Sequence, residues 1–167
     1  KLMLDSVRLW ARQYRIDSFR FDLMGHQPKE AMVALQQLLR QDNGRDIQLI
    51  GEGWNFGEVA NGARFVQAAQ GTLSGTGIAT FSDRARDFVR GGGPFDGGQS
   101  LVRNQGYING LFYDDNGSGA GKSKTDLMWA ADIIKVGLAG SIRDYTLTTH
   151  WDASLQLQQL DYNGQPA

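Results

Sequence analysis

Two short strand patterns, each ending in a carboxylate and separated by one helix, constrain this chain more than any other feature. Residues 17–22 alternate Phe19 and Phe21 with Ser18, Arg20 and Asp22, the period-two signature of a half-buried strand. Ile47 to Gly51 is a short apolar strand with Glu52 at its end. Between them, Pro28 opens a helix with Ala31, Leu35, Leu38 and Leu39 on one face, and Asn43-Gly44 closes it. Parallel strands require a crossover of this length, whereas antiparallel strands close with a short hairpin. The spacing therefore predicts a parallel pair with Asp22 and Glu52 at matching strand ends.

The rest of the chain continues the alternation. Met3, Val7, Trp10 and Tyr14, with Ala11 beside them, predict an amphipathic helix over residues 2–14 whose stripe packs on the sheet. Residues 55–76 read as loop with a short helix around Arg64–Ala69, and Ile78 to Phe81 as a third strand. Ser82 or Asp83 caps a helix running to Val89, which Gly91-Gly92-Gly93-Pro94 breaks. Residues 95–121 form a Gly-, Asn- and Asp-rich excursion without a sustained period. Ser123-x-x-Asp126 has the form of a capping box. It opens a helix with Leu127, Ala131, Ile134 and Leu138 on one side, ending near Gly137–Gly140. Weak strand signals follow at Asp144–Thr149. The order predicts an α/β fold on a parallel sheet.

Composition narrows the chemistry. Lys and Arg total 17 against 18 Asp and Glu, for a formal charge of −1. That balance gives no electrostatic footprint for nucleic acid or an anionic membrane, and no apolar run approaches the ~20 residues of a membrane-spanning helix. With no Cys and only 2 His, a thiolate zinc site is excluded and a multi-histidine metal centre nearly so. The chain begins at Lys1, as expected of a processed or excised piece.

Two carboxylates at one mouth of a parallel sheet suit glycoside hydrolysis. One attacks the anomeric carbon as an anion while the other donates a proton to the leaving oxygen, and a separation of about 5–5.5 Å gives retention of configuration. Arg20 shares a strand face with Asp22 and favours its charged form, while Trp54 offers Glu52 apolar cover. Trp54 and Phe56 also present faces on which sugars stack. On spacing alone the bland alternative stands beside this one: Arg20–Asp22 as a structural ion pair and Glu52 as a loop anchor.

The residues themselves sharpen the choice. Asp17-Ser18-Phe19-Arg20-Phe21-Asp22-Leu23-Met24-Gly25-His26 resembles the fourth-strand motif of the α-amylase superfamily, glycoside hydrolase family 13. Its Phe-Asp-Leu-Met-Gly-His run is similar to that of the pullulanase-type α-1,6-glucosidases. Gly51-Glu52-Gly53-Trp54, followed by Asn55-Phe56-Gly57-Glu58-Val59, resembles their fifth-strand motif. Phe81 to Asp87 with Val89-Arg90-Gly91-Gly92 resembles their sixth-strand region, and Gln105 to Asp114 their inserted loop.

The resemblance implies part of a (β/α)8 TIM barrel, about strands four to six with flanking helices and a long Gly-rich insert. Residues 1–167 would be one partial catalytic domain of a larger enzyme. The implied activity is hydrolysis of α-1,6 branch linkages in pullulan and branched α-glucans, with retention. By motif position Asp22 would be the nucleophile and Glu52 the general acid/base. Arg20 would hold the nucleophile ionised, His26 would contact the bound sugar, and Trp54 would be a stacking platform. No cofactor and no metal are implied, and the partner is a branched α-glucan. Secreted and cell-surface members of the family suggest an envelope or extracellular site.

Departures from the family pattern bear on activity. Ser18 stands where Gly is usual, and the third-strand motif is absent. The family also uses a third carboxylate, an Asp directly after a His on the seventh strand. This chain has no His-Asp pair, and His150-Trp151-Asp152 does not match in spacing. The isolated piece is therefore expected to be poorly active or inactive, with sheet edges that pack against something, including another copy. Within the same class an α-1,4-acting or dual-specificity amylopullulanase is an alternative, and of a different class a non-catalytic α-glucan-binding piece. Gly117 to Ser123 superficially suggests a phosphate loop, but position 116 is Asn where the pattern needs Gly. A loop ending in a helix cap is the simpler reading. Asp114-Asp115-Asn116 offers oxygen ligands for calcium or an Asx-type turn. Tyr107, Phe112 and Tyr113 either line a glycan groove or pin the insert.

Overall fold

The computed structural model describes residues 1–116, 122–140, 142, 144–151, 154–159, 161–162 and 165–166. The chain divides into two compact units, Lys1–Phe81 and Ser82–Ala167. No helix among the described residues is long and apolar enough to cross a membrane.

In the first unit, helix α1 (Leu2–Gln13) leads to strand β1 (Ser18–Phe21), helix α2 (Lys29–Asn43), strand β2 (Gln48–Gly51) and strand β3 (Ala79–Thr80). The sheet is parallel throughout, in the order β1-β2-β3. Its register pairs Ser18 with Gln48 and Phe21 with Gly51, so the next residues, Asp22 and Glu52, leave the sheet side by side. Pro28, with φ −60° and ψ 134°, precedes the first turn of α2, where its missing N–H costs nothing. Gly44 ends the helix at φ +63°, a torsion that glycine adopts without a Cβ penalty. Met32, Leu35 and Leu39 of α2 are buried in one cluster with Val7, Ala11, Met24, Ile47, Leu49 and Ile78, with Phe19 and Phe21 against it. Close packing of this kind makes each buried Leu, Ile or Met of the cluster worth roughly 2–5 kcal/mol on truncation to Ala. The sheet is not a closed barrel among the described residues.

Two expectations for this unit are corrected. The buried stripe of α1 is Val7 and Ala11, with Met3 and Leu4 partly buried beside it. Trp10 and Tyr14 are exposed and stack on each other at 4.6 Å between ring centroids. Residues 64–69 form no helix. Lys29 N–H donates to Val66 O and Ala68 N–H to Gln27 O, both at 2.8 Å, and Pro28 forms an isolated bridge with Gln67. Those bonds use backbone groups that a helix would need internally. The short helical turns fall earlier, over Gly57–Gly62.

The second unit contains helices α3 (Arg84–Arg90), α4 (Gln99–Arg103) and α5 (Lys124–Ala139). Strands β4 (Thr146–Leu147) and β5 (Leu155–Gln156) form one antiparallel pair, and β6 (Asp161–Tyr162) and β7 (Gln165–Pro166) another. The capping box is present: Ser123 Oγ accepts from Asp126 N–H, and the Asp126 carboxylate accepts from Ser123 N–H. The buried face of α5 is Leu127, Ala130, Ile133 and Val136, not the expected Leu127, Ala131, Ile134 and Leu138; Leu138 is 78% exposed. Gly137 explains the rotation. A Cβ there would lie 2.7 Å from Ala85 Cβ and 2.9 Å from Ala85 N, so α3 and α5 approach at a point only glycine permits.

Asp132 on α5 is buried and joins this helix to the following loop. Its carboxylate accepts from Lys135 Nζ at 2.6 Å, and from the His150 backbone N–H at 2.6 Å. The His150 ring contacts it through Nδ1 at 2.8 Å. Burial opposes the charge, but the bonds from Lys135 and His150 outweigh it and hold the carboxyl below the usual range. His150 thus answers to Asp132, while Asp152 of the His-Trp-Asp run lies outside the described residues. Gly117–Gly121 of the phosphate-loop pattern also lie outside them.

Candidate active site

The site is built where β1 and β2 end. Alternation along β1 puts Phe19 and Phe21 toward the core and leaves Arg20 exposed, so the Arg20 side chain emerges beside the two strand ends. Arg20 Nη1 donates to Asp22 Oδ1 at 2.6 Å, and Arg20 Nη2 donates to Glu52 Oε1 at 2.8 Å. One planar guanidinium thereby bridges both carboxylates, a pairing that suits its fixed fork of donors. From the sequence, Arg20 was assigned to Asp22 alone; its second contact, to Glu52, needs the register to be seen. Arg20 also lies over the Phe81 ring, 5.7 Å from the centroid.

The two acids differ in setting. The Asp22 side chain is 73% exposed and that of Glu52 is 24% exposed. Glu52 is held on both oxygens, since Leu23 N–H donates to Oε2 at 3.1 Å. Its backbone is fixed as well: Glu52 N–H donates to Phe21 O at 3.0 Å and Gly25 N–H donates to Glu52 O at 2.8 Å. The two chain segments therefore interlock through main-chain bonds before any side chain is considered.

Three glycines permit that closeness. A Cβ on Gly25 would lie 2.2 Å from Trp54 O and 2.9 Å from Trp54 N. One on Gly51 would meet Met24 Cβ and Sδ at 2.7 Å, and one on Gly53 would meet Thr80 Cγ2 at 2.6 Å. The backbone of Trp54 thus lies directly on the turn after Asp22. Gln67 Nε2 adds a bond to Gly25 O at 2.8 Å from beneath. Gln67 is buried, and nothing in its sequence surroundings marked it as a support of the site.

His26 closes the short turn Met24–His26. Its ring meets Phe56 edge-on at 4.7 Å, and Gly57 leaves room for Nε2, which a Cβ would approach to 3.0 Å. His26 Nδ1 is buried and makes no hydrogen bond among the described residues. Phe56 is itself 45% exposed and Trp54 is half-buried. The structure thus brings Arg20, Asp22, His26, Glu52 and Trp54 into one neighbourhood. Chemically it presents two carboxylates, a guanidinium and aromatic surface, a combination that binds polyhydroxylated rings and moves protons among them. No group of three or more His, Cys, Asp or Glu among the described residues is arranged to hold a metal ion.

No family model matches the chain. It is 42% identical over 166 residues to the pullulanase of Klebsiella pneumoniae, covering 99% of this chain and 15% of that protein. It is also 42% identical over 160 residues to the chloroplastic pullulanase 1 of Arabidopsis thaliana, covering 90% of this chain and 16% of that one. Among solved structures, a Klebsiella pneumoniae pullulanase complexed with maltotriose superposes with a TM-score of 0.79 at 39% identity, over 99% of this chain and 15% of that one. The chain therefore spans about 15% of the length of the curated Klebsiella relative.

Proposed function

On the premise that this chain is a pullulanase-type segment, we propose that it supplies the nucleophile and the proton donor of a retaining glycoside hydrolase acting on α-1,6 branch linkages of α-glucans. In this reading residues 1–167 are one part of a (β/α)8 catalytic barrel, and the edges of the β1-β2-β3 sheet pair with further strands of a longer chain or with another copy. The observation that carries the reading is the Arg20 bridge between Asp22 and Glu52 at the ends of adjacent parallel strands. Active sites of parallel α/β folds lie at that end.

The chemistry assigned to each residue follows from its setting. The exposed Asp22 carboxylate attacks the anomeric carbon, and the bond to the leaving sugar oxygen breaks as Glu52 gives that oxygen its proton. Water then attacks the anomeric carbon of the glycosyl–Asp22 ester as Glu52 takes its proton; the Asp22 carboxylate leaves, and the sugar is released with its original anomeric configuration. Arg20 offsets the negative charge of the two carboxylates and favours their ionised forms. Trp54 and Phe56 offer stacking surface, and His26 a ring nitrogen to a sugar hydroxyl.

Product analysis tests the linkage. A full-length chain carrying this segment is expected to release trisaccharide units from pullulan and to leave linear maltodextrin uncut. Cleavage of linear maltodextrin alone would assign it to α-1,4 bonds, and cleavage of both to dual specificity. Glucan binding with no cleavage of either would favour a binding role. The isolated 167-residue chain lacks the third carboxylate of the family pattern and is expected to leave pullulan intact.

A further inference from the structure

Leu23, directly after Asp22, has torsions of φ +48° and ψ +39°. That is the left-handed region, which crowds the Cβ of an ordinary residue against its following carbonyl. Arg15 and Asn61 share it; Asn61 has a side chain suited to it, and Arg15 and Leu23 do not. Strain of this kind persists only where surrounding structure imposes it, and it points to a task at the site. The surroundings do impose it: Met24 next to it is fully buried, and Gly25 N–H is bonded to Glu52 O. The Leu23 side chain is 43% exposed, so burial of the side chain does not account for the conformation.

The turn at Leu23 carries the chain into Met24–His26, where His26 N–H donates to Leu23 O at 2.9 Å and Gly25 N–H to Glu52 O at 2.8 Å. In the same turn the Leu23 N–H faces Glu52 Oε2 at 3.1 Å, while Arg20 Nη2 takes Oε1 at 2.8 Å. Two donors, one on each oxygen, leave the carboxyl group a single orientation, and a proton donor works only when so oriented. We propose that Leu23 is a positioning residue: the turn it makes after Asp22 is held against Glu52, so that its backbone N–H fixes one oxygen of the acid/base carboxylate. This rests on the reading of Glu52 given above.

The test replaces that N–H with an ester oxygen while keeping the side chain. In a full-length chain carrying this segment, leucic acid incorporated at position 23 replaces the amide with an ester and keeps the side chain. Loss of one hydrogen bond to a charged group is expected to lower kcat on pullulan about tenfold. KM should stay within about twofold, the pattern of an interaction that matters in the transition state rather than in binding. Leu23→Gly keeps the N–H and enters the left-handed region freely, so it measures how much of any loss comes from the side chain and its packing. An ester variant with parental kcat, or one whose KM rises as kcat falls, would overturn the proposal. Equal losses in the ester and in Leu23→Gly would do the same, because they would place the effect in packing. Glu52→Gln separates the two claims. If it retains parental turnover, the role of Glu52 itself fails; if it is inactive while the ester variant is unimpaired, the positioning role of Leu23 alone fails.

Discussion

Asp22→Asn in a full-length chain carrying this segment is expected to lower turnover of pullulan by roughly a thousandfold or more, with glucan binding largely kept. The substitution preserves shape, so Arg20 still finds an oxygen where it now donates to Asp22 Oδ1 at 2.6 Å. What would be lost is the anion that, in the proposed mechanism, forms the bond to the anomeric carbon. Asp22 is mostly exposed and follows a strand held by parallel pairing to β2, so the fold should survive. Equal thermal midpoints with turnover gone would support the nucleophile role. Retained turnover would refute it, and a collapsed midpoint would mean that the Arg20 bridge is structural.

Gly25→Ala carries the second large effect, and it arises from backbone rather than from a reacting group. The added methyl would sit 2.2 Å from Trp54 O and 2.9 Å from Trp54 N. Neither atom can swing away as a side-chain tip would, so the Glu52–Trp54 segment must shift. Overpacking at such a point costs roughly 1–3 kcal/mol. Because Gly25 N–H bonds to Glu52 O, the shift would move Glu52, the proposed proton donor. A displacement of about 1 Å is enough to cost on the order of a hundredfold in rate. Gly44→Ala is the contrasting variant. It also adds a methyl, but in open space at φ +63°, where the penalty is only the left-handed torsion, about 1 kcal/mol. Thermal unfolding and kcat on both variants check this: Gly25→Ala should lose both, and Gly44→Ala should lose a little stability and no activity. A Gly25→Ala enzyme with parental kcat would show that the contact between the two segments is not what holds the site.

The parallel sheet was legible because period-two alternation and helix-length spacing are local signals. Phe19 and Phe21 marked the core face of β1 and thereby left Arg20 and Asp22 at the site. The Pro28 start and Gly44 stop of α2 were legible for a similar reason, since each residue's own torsional limits dictate its place. Helix phase was less so. Trp10 and Tyr14 fit a helical stripe in sequence, yet they satisfy each other by stacking outside the core. On α5 the close approach of Gly137 to Ala85 turned the buried face toward Ala130 and Ile133, a tertiary cause absent from the helix's own pattern. Residues 64–69 form no helix because Lys29 N–H and Gln27 O bond to Val66 O and Ala68 N–H there.

In the site, residue types revealed the carboxylates but not their connections. The Arg20 contact to Glu52 depends on strand register, and the Leu23 N–H contact depends on the turn made after Asp22. Gly25, Gly51 and Gly53 were visible only as letters in motifs. Their role, letting two chain segments touch through backbone, appears only when a Cβ is placed on each. Gln67, which braces Gly25 O from within, left no local trace because its partner lies 42 residues away.

The most direct test of two carboxylates acting on opposite steps of one reaction is the configuration of the first sugar released. Proton NMR of pullulan digestion by a full-length chain carrying this segment, recorded before mutarotation, should show the new reducing end as the α-anomer. Prompt appearance of the β-anomer would mean that water attacks directly across a wider gap, and the Asp22–Glu52 pair could then not be the nucleophile and its proton donor.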